Sequence, residues 1–108
     1  IVAMIESKQA IENLESILKT NDLDAVLIGP YDLSASHNIV GKFGSSKFKS
    51  ILKKITSQCK KHKIPCGLHV IEPNYKVLQK YKKEGFQFLP YGIDTDIFNR
   101  SISKPFSN

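Results

Sequence analysis

Short apolar runs alternate with helix-type patterns four times along the chain, and this alternation restricts the possible folds more than any other feature. The apolar runs predict parallel strands at Ile1–Ile5, Ala25–Ile28, Cys66–Val70 and Phe86–Tyr91. Amphipathic patterns predict helices at about Lys8–Lys19, in the lysine-rich segment ending near His62, at Pro73–Lys83 and at Asp94–Ser103. Such repeats are typical of α/β folds with right-handed crossovers. Four units fit either a small open sheet or half of an eight-stranded (β/α)₈ barrel, and the periodicity does not separate the two.

The second apolar run is followed by the strongest turn signal in the chain. Gly29 and Pro30 end the strand, and the polar residues Asp32 and Ser34 follow in an expected loop. Ligands of α/β proteins bind at the carboxyl ends of the strands, so this segment is a candidate site. The alternative is that Asp32 caps the next segment, since Asp is a preferred capping residue. A longer loop at 37–46, rich in Gly and Ser, is expected to form part of a site or to be mobile.

The composition fits one small domain. The chain has 108 residues, of which 41% are hydrophobic and 24% are charged, as in ordinary globular proteins. No apolar run approaches the roughly 20 residues that span a bilayer, so no membrane partner is expected. Cys59 and Cys66 lack the spacing of a metal site, and we expect them to be buried, reduced thiols of a cytoplasmic protein.

The net charge of +6 raises the question of an acidic partner such as nucleic acid. Seven lysines between residues 47 and 63 supply much of this charge. They alternate with apolar residues at helical spacing, which indicates the solvated face of an amphipathic helix. No cluster of arginines with aromatic residues accompanies them, so no nucleic-acid partner is expected.

Acidic side chains follow two of the predicted strands. Glu6 ends the first strand and Asp32 follows the second, so parallel pairing would place both at the same edge of the sheet. Two carboxylates, completed by water and a chelating substrate, can hold Mg²⁺, and Mn²⁺ or Co²⁺ fit the same oxygen site. The alternative is that both carboxylates only cap helices. Asp94, which follows the fourth strand, is expected to cap the last helix.

Several segments resemble one known family. The segments are Met4-Ile5-Glu6-Ser7, Ala10-Ile11-Glu12-Asn13, Ile28-Gly29-Pro30-Tyr31-Asp32-Leu33-Ser34 and Gly92-Ile93-Asp94-Thr95. Together they resemble the HpcH/HpaI aldolases, metal-dependent class II pyruvate aldolases related to the citrate lyase β-subunit. The 26 positions from Glu6 to Asp32 are similar to the separation of the family's two metal-binding carboxylates. The likeness extends over essentially the whole chain.

The resemblance implies a fold and an activity. It implies that residues 1–108 form a single partial domain, the C-terminal half (strands 5–8) of a TIM (β/α)₈ barrel. Glu6 and Asp32 would bind a divalent metal, which is Mg²⁺ or Mn²⁺/Co²⁺. The loop backbone of Gly29, Pro30, Tyr31 and Asp32 would bind the carboxylate of a pyruvate-like 2-keto acid. The chain would then belong to a carbon–carbon lyase that cleaves or forms 2-keto acid aldols with an aldehyde through a metal-bound pyruvate enolate.

The sequence departs from the family pattern at two positions. Met4 stands where many members have Gln, and Tyr31 replaces a residue that is usually smaller. In the family, the catalytic His and a substrate-orienting Arg lie in the first half of the barrel. The catalytic residues are therefore unknown here, and the isolated chain is expected to have weak activity or none.

The three histidines are not assigned to catalysis. His69 could face the site from the third strand, but a histidine on a strand is more often packed or hydrogen-bonded in a structural role. His37 could approach a substrate without any motif match, and His62 is expected at the surface. A homo-oligomer is expected from the family resemblance. The competing hypothesis is a non-catalytic βα module that self-assembles through exposed sheet edges.

Overall fold

The computed structural model describes residues 1–106 and contains a three-stranded parallel sheet. The strands are β1 (Val2–Ile5), β2 (Ala25–Ile28) and β3 (Cys66–Leu68), in that spatial order. Their register aligns Ile5, Ile28 and Leu68 across the sheet. The α/β class and the parallel arrangement are confirmed. Strand β2 has the predicted bounds, whereas β3 ends two residues earlier than predicted.

Six helices connect and flank these strands. They are α1 (Lys8–Glu12), α2 (Leu14–Leu18), α3 (Pro30–Ser36), α4 (Ser46–His62), α5 (Tyr75–Lys83) and α6 (Asp94–Ser103), followed by a 3₁₀ turn at Lys104–Phe106. The single helix predicted over 8–19 is instead two short helices joined at Asn13. There the Asn13 side chain donates to the Gln9 carbonyl (2.9 Å), and the Ser16 hydroxyl donates to the Asn13 carbonyl (2.9 Å). Regular backbone bonds also remain at this junction, from the Asn13 N–H to the Gln9 carbonyl (3.0 Å) and from the Ile17 N–H to the Asn13 carbonyl (3.1 Å).

One face of the sheet carries the hydrophobic core. Ile5, Ile28 and Leu68 are at most 1% exposed and point the same way, because they are aligned and strand side chains alternate between faces. Helix α4 covers this face with Phe48 and Ile55, both fully buried. Its apolar residues recur at helical spacing and its lysines stay outside, so the basic residues form a solvated helix face as predicted.

The predicted fourth strand at 86–91 is corrected. Within residues 1–106 this segment pairs with the sheet through two isolated bridges and no continuous ladder. Val70 donates its N–H to the Pro90 carbonyl (2.8 Å) and accepts from the Gly92 N–H (2.7 Å). In a regular parallel ladder, the donor before the Gly92 N–H would be the N–H of residue 90. Residue 90 is proline, which has no N–H. Pro90 therefore interrupts the pairing that the apolar pattern predicts.

The C-terminal helices are less well packed than α4. Neither α5 nor α6 contains a buried residue. Helix α5 begins at Tyr75, two residues later than predicted, because Asn74 caps it by accepting the N–H groups of Lys76 and Val77. Among the described residues, no helix is both long and apolar enough to cross a membrane.

Candidate functional site

Three residues form one row at the carboxyl edge of the sheet. Glu6, Gly29 and His69 each follow the last paired residue of a strand. Backbone bonds extend the register to this row, since Gly29 N–H donates to the Ile5 carbonyl (3.2 Å) and His69 N–H donates to the Ile28 carbonyl (3.4 Å). The preceding residues point into the core, so alternation directs this row to the opposite, open face of the sheet.

Glu6 lies beside Gly29 on this open face. A Cβ atom added at Gly29 would lie 3.3 Å from the Glu6 Cβ and 3.4 Å from the Glu6 Oε2. The Glu6 side chain is exposed and forms no hydrogen bond or ion pair within residues 1–106. The missing side chain at Gly29 thus leaves room for the carboxylate and for a ligand next to it.

Asp32 lies in the first turn of α3, which corrects two expectations. The segment 29–32 is not a loop, because Pro30 begins the helix, where its missing N–H is harmless. Gly29 is the N-cap residue and α3 has no side-chain cap, so Asp32 does not cap it. The Asp32 carboxylate is exposed and has no partner among the described residues. Because the Asp32 carboxylate forms no hydrogen bond with these residues, it is available to bind a ligand.

The backbone of this segment offers fewer donors than its length suggests. The Gly29 N–H is already bonded to Ile5, and Pro30 has no N–H. The N–H groups of Tyr31 and Asp32, in the first turn of α3, have no backbone acceptor within the described residues. Any anion held by this backbone would therefore be bound by these two groups.

Ser34, the other polar residue after β2, has a structural role. It is fully buried, and its hydroxyl donates to the Tyr31 carbonyl (2.8 Å) and accepts the Gly41 N–H (3.1 Å). These bonds fasten the 37–45 loop to α3. Phe43 of the loop also packs on α3, since its ring contacts the Tyr31 ring edge-on, with 5.0 Å between the ring centroids.

A cavity of about 300 Å³ adjoins Tyr31 on the same edge of the sheet. Its lining includes Pro30, Tyr31, His69 and Glu72. A larger cavity of about 630 Å³ is at the amino end of β3, beside Cys59 and Cys66, and contains none of the predicted site residues. Both cysteines are free and buried, as expected.

The predicted roles of the remaining residues have mixed outcomes. His69 is hydrogen-bonded, since its Nε2 lies 2.9 Å from the Gly92 carbonyl oxygen. His62 is half-buried, contrary to the surface expectation, because it ends α4 on the side toward α2. Asp94 is the first residue of α6, and its carboxylate accepts only the adjacent Thr95 N–H (2.8 Å), so it is not the predicted cap.

Glu6 and Asp32 have side chains of the type that binds a hard cation. Two free carboxylates, with space beside Gly29, are the oxygen ligands that Mg²⁺ or Mn²⁺ prefers, with water completing the shell. Within residues 1–106 no group of three His, Cys, Asp or Glu side chains could enclose a metal. A cation here would therefore depend on water or a chelating ligand for its remaining positions.

Comparisons with known proteins give one consistent result. A family model described as HpcH/HpaI aldolase/citrate lyase matches residues 1–101. The chain is 28% identical over 104 residues to a 5-keto-4-deoxy-D-glucarate aldolase of Citrobacter koseri and 29% identical to one of Klebsiella pneumoniae. Each alignment covers 96% of this chain and 40% of the relative. The chain thus spans about 40% of the length of the curated relatives it matches.

Solved structures show the same architecture. An HpcH/HpaI aldolase from Desulfitobacterium hafniense DCB-2 superposes with a TM-score of 0.89 at 25% identity, covering 98% of this chain and 40% of that one. An aldolase/citrate lyase family protein from Burkholderia cenocepacia J2315 also gives 0.89, at 18% identity, and covers 97% and 40%. The second likeness shows the fold alone.

Proposed function

Because the chain belongs to the HpcH/HpaI aldolase/citrate lyase family, we propose that it forms the metal-binding part of a carbon–carbon lyase acting on 2-keto acid aldols. The observations that carry this proposal are two carboxylates without a hydrogen bond among the described residues: Glu6, beside Gly29 at the carboxyl edge of the sheet, and Asp32, in the first turn of α3, which begins just after Gly29. The relatives named as aldolases support the reaction class.

We further propose that residues 1–108 are a single partial domain, the C-terminal half of a (β/α)₈ barrel. Two features support this topology. The three strands are parallel, and the segment at 86–91 forms parallel bridges to Gly67 and Val70. The face opposite the core is open, with Val2 and Met4 about half exposed on β1. In a closed barrel this face would line the interior, and its carboxyl end would be the active-site end.

Each residue of the proposed site has a distinct task. Glu6 and Asp32 supply the negative charge that holds a divalent cation, Mg²⁺ or Mn²⁺/Co²⁺. The bound cation would chelate a pyruvate-like keto acid and stabilise negative charge that develops on its carbonyl oxygen. The N–H groups of Tyr31 and Asp32 would bind the substrate carboxylate, while Gly29 and Pro30 shape the site without donating. The Tyr31 ring would limit the space for the aldehyde part.

Substitution of the two carboxylates tests the proposal. We expect Glu6→Gln and Asp32→Asn each to weaken Mn²⁺ binding by about 10- to 100-fold or more, because loss of a metal-site group typically has at least this effect. The free energy of unfolding should change little, since neither carboxylate forms a hydrogen bond within the described residues. Titration of Mn²⁺ followed by electron paramagnetic resonance measures the affinity.

Glu12→Gln is the matched control for this experiment. Glu12 is also an exposed carboxylate, but it lies at the end of α1, away from the row. Its substitution should leave Mn²⁺ affinity unchanged. Equal affinity in all four proteins would contradict the metal site and favour the alternative, a non-catalytic βα module. The open edge of β1 in the three-stranded sheet is the observation that favours self-assembly of such a module.

A further inference from the structure

His69 is the third member of the row that contains Glu6 and Gly29, and no role in the proposed site has been given to it. The Cα atoms of His69 and Glu6 are two strand spacings of about 4.8 Å apart, which makes a distance of about 10 Å. Gly67, two residues earlier on the same face, is covered by the Phe88 ring, which would lie 2.5 Å from an added Cβ. The imidazole is thus the first polar group beyond Gly29 on this face.

The hydrogen bond of His69 determines which ring nitrogen is free. A carbonyl oxygen only accepts, so the Nε2 atom, 2.9 Å from the Gly92 oxygen, carries the proton. In the neutral ring Nδ1 is then an acceptor, and it forms no hydrogen bond within residues 1–106. Gly92 is itself anchored, because its N–H donates to the Val70 carbonyl (2.7 Å). The carbonyl that orients the ring is therefore held in place.

We propose that His69 is a substrate-contact residue whose Nδ1 accepts a hydrogen bond from a hydroxyl group on the part of the substrate beyond the chelated keto acid. The inference rests on the proposed function, since it requires a keto acid held at Glu6 and Asp32. A keto acid chelated there uses its first two carbons. We place the next carbons along the row, past Gly29, toward the imidazole, which lines the cavity beside Tyr31. A neutral acceptor at that position favours a hydroxylated chain over an aliphatic one.

Two isosteric ligands test this contact on the wild-type chain saturated with Mg²⁺. N-(2-hydroxyethyl)oxamate and N-propyloxamate share the chelating atoms of a keto acid and have no aldol bond to cleave. We expect the hydroxyethyl compound to bind about 2- to 10-fold more tightly by calorimetry, the range of one net hydrogen bond. In His69→Phe the two affinities should become equal, with the N-propyloxamate affinity within about twofold of wild type. His69→Gln, which keeps a donor and an acceptor, should retain part of the preference.

Nitrogen-15 spectra of histidine-labelled wild-type chain give a second measurement that needs no variant. The His69 Nδ1 resonance should shift on addition of the hydroxyethyl compound and not on addition of N-propyloxamate. A preference that persists in His69→Phe, or no preference in wild type, would overturn the contact while leaving the metal site intact. Failure of both oxamates and of Mg²⁺ to bind would instead overturn the proposed function, and this inference with it.

Discussion

At the scale of single residues, Gly29 matters because it has no side chain. Its backbone (φ −90°, ψ 95°) is open to any residue, so its conformation does not require glycine. An added Cβ would instead crowd Glu6, since it would lie 3.3 Å from the Cβ and 3.4 Å from the Oε2 of that side chain, and the carboxylate would have to shift. Gly29 is therefore expected to act on the position of the carboxylate rather than on the fold.

Gly29→Ala should consequently weaken Mn²⁺ binding by about tenfold, as for other groups that orient metal ligands. The melting temperature should shift by only a few degrees, because the backbone conformation suits alanine. The matched control is Gly44→Ala, since an added Cβ at Gly44 has no neighbour within 4 Å. Unchanged affinity in Gly29→Ala, measured by Mn²⁺ titration, would contradict the proposed position of the metal beside Glu6.

The site residues show what could be predicted from sequence at this scale. The carboxylates Glu6 and Asp32 could be found because each follows a strand whose apolar run is continuous. The missing N–H of Pro30 could be read from the sequence, but the loss of the Gly29 N–H from the expected four-residue backbone cradle could not. The Gly29 N–H is used by the Ile5 carbonyl, a partner 24 positions away that only the strand register reveals.

At the scale of elements, the end of α3 carries a half-buried histidine. His37 follows α3, and its Nε2 is buried without a partner among the described residues. Burial lowers the pKa of His37, and the nearby cations Lys47 and Lys8 lower it further, while Glu12 raises it. The neutral imidazole is therefore the form that the folded chain favours.

The sign of the pH effect follows from that lowered pKa. Above the ordinary histidine pKa of about 6.5, both folded and unfolded chains are neutral at His37 and no stability is lost. As the pH falls below that value, the unfolded chain binds a proton more readily, so the free energy of unfolding decreases. Urea denaturation at pH 7.5 and 5.5 should show this decrease, and His37→Gln should reduce it. An identical pH dependence in His37→Gln would show that His37 does not contribute to the pH dependence of stability.

The predicted elements matched the structure where one sequence pattern dominated, and they missed two local features. The helical spacing of the apolar residues in α4 is a strong local signal, and the continuous apolar run of β2 has no competing pattern. Asn13 and Pro90 are the counterexamples. At Asn13 the predicted helix divides into α1 and α2, and Pro90 removes one donor from an otherwise strand-like run. Neither effect is visible in hydrophobic periodicity.

At the scale of the whole molecule, the described residues leave several large apolar side chains exposed. Helix α6 exposes Ile97, Phe98 and Ile102, with Phe98 66% exposed, and β1 has an open edge. The chain also spans about 40% of the length of its relatives. These features support the proposed partial barrel. The sequence resemblance indicated this, but periodicity alone did not, because four βα units have the same pattern in an open sheet.

Calorimetric titration of oxalate, a mimic of the pyruvate enolate, into the chain with and without Mn²⁺ is the most direct test of the central claim. Oxalate should bind only when Mn²⁺ is present, because Glu6 and Asp32 would otherwise repel it and the cation supplies the opposite charge. Asp32→Asn should abolish the Mn²⁺-dependent binding. Oxalate binding that is independent of Mn²⁺, or no binding with Mn²⁺ in excess, would contradict a metal and keto acid site at this edge of the sheet.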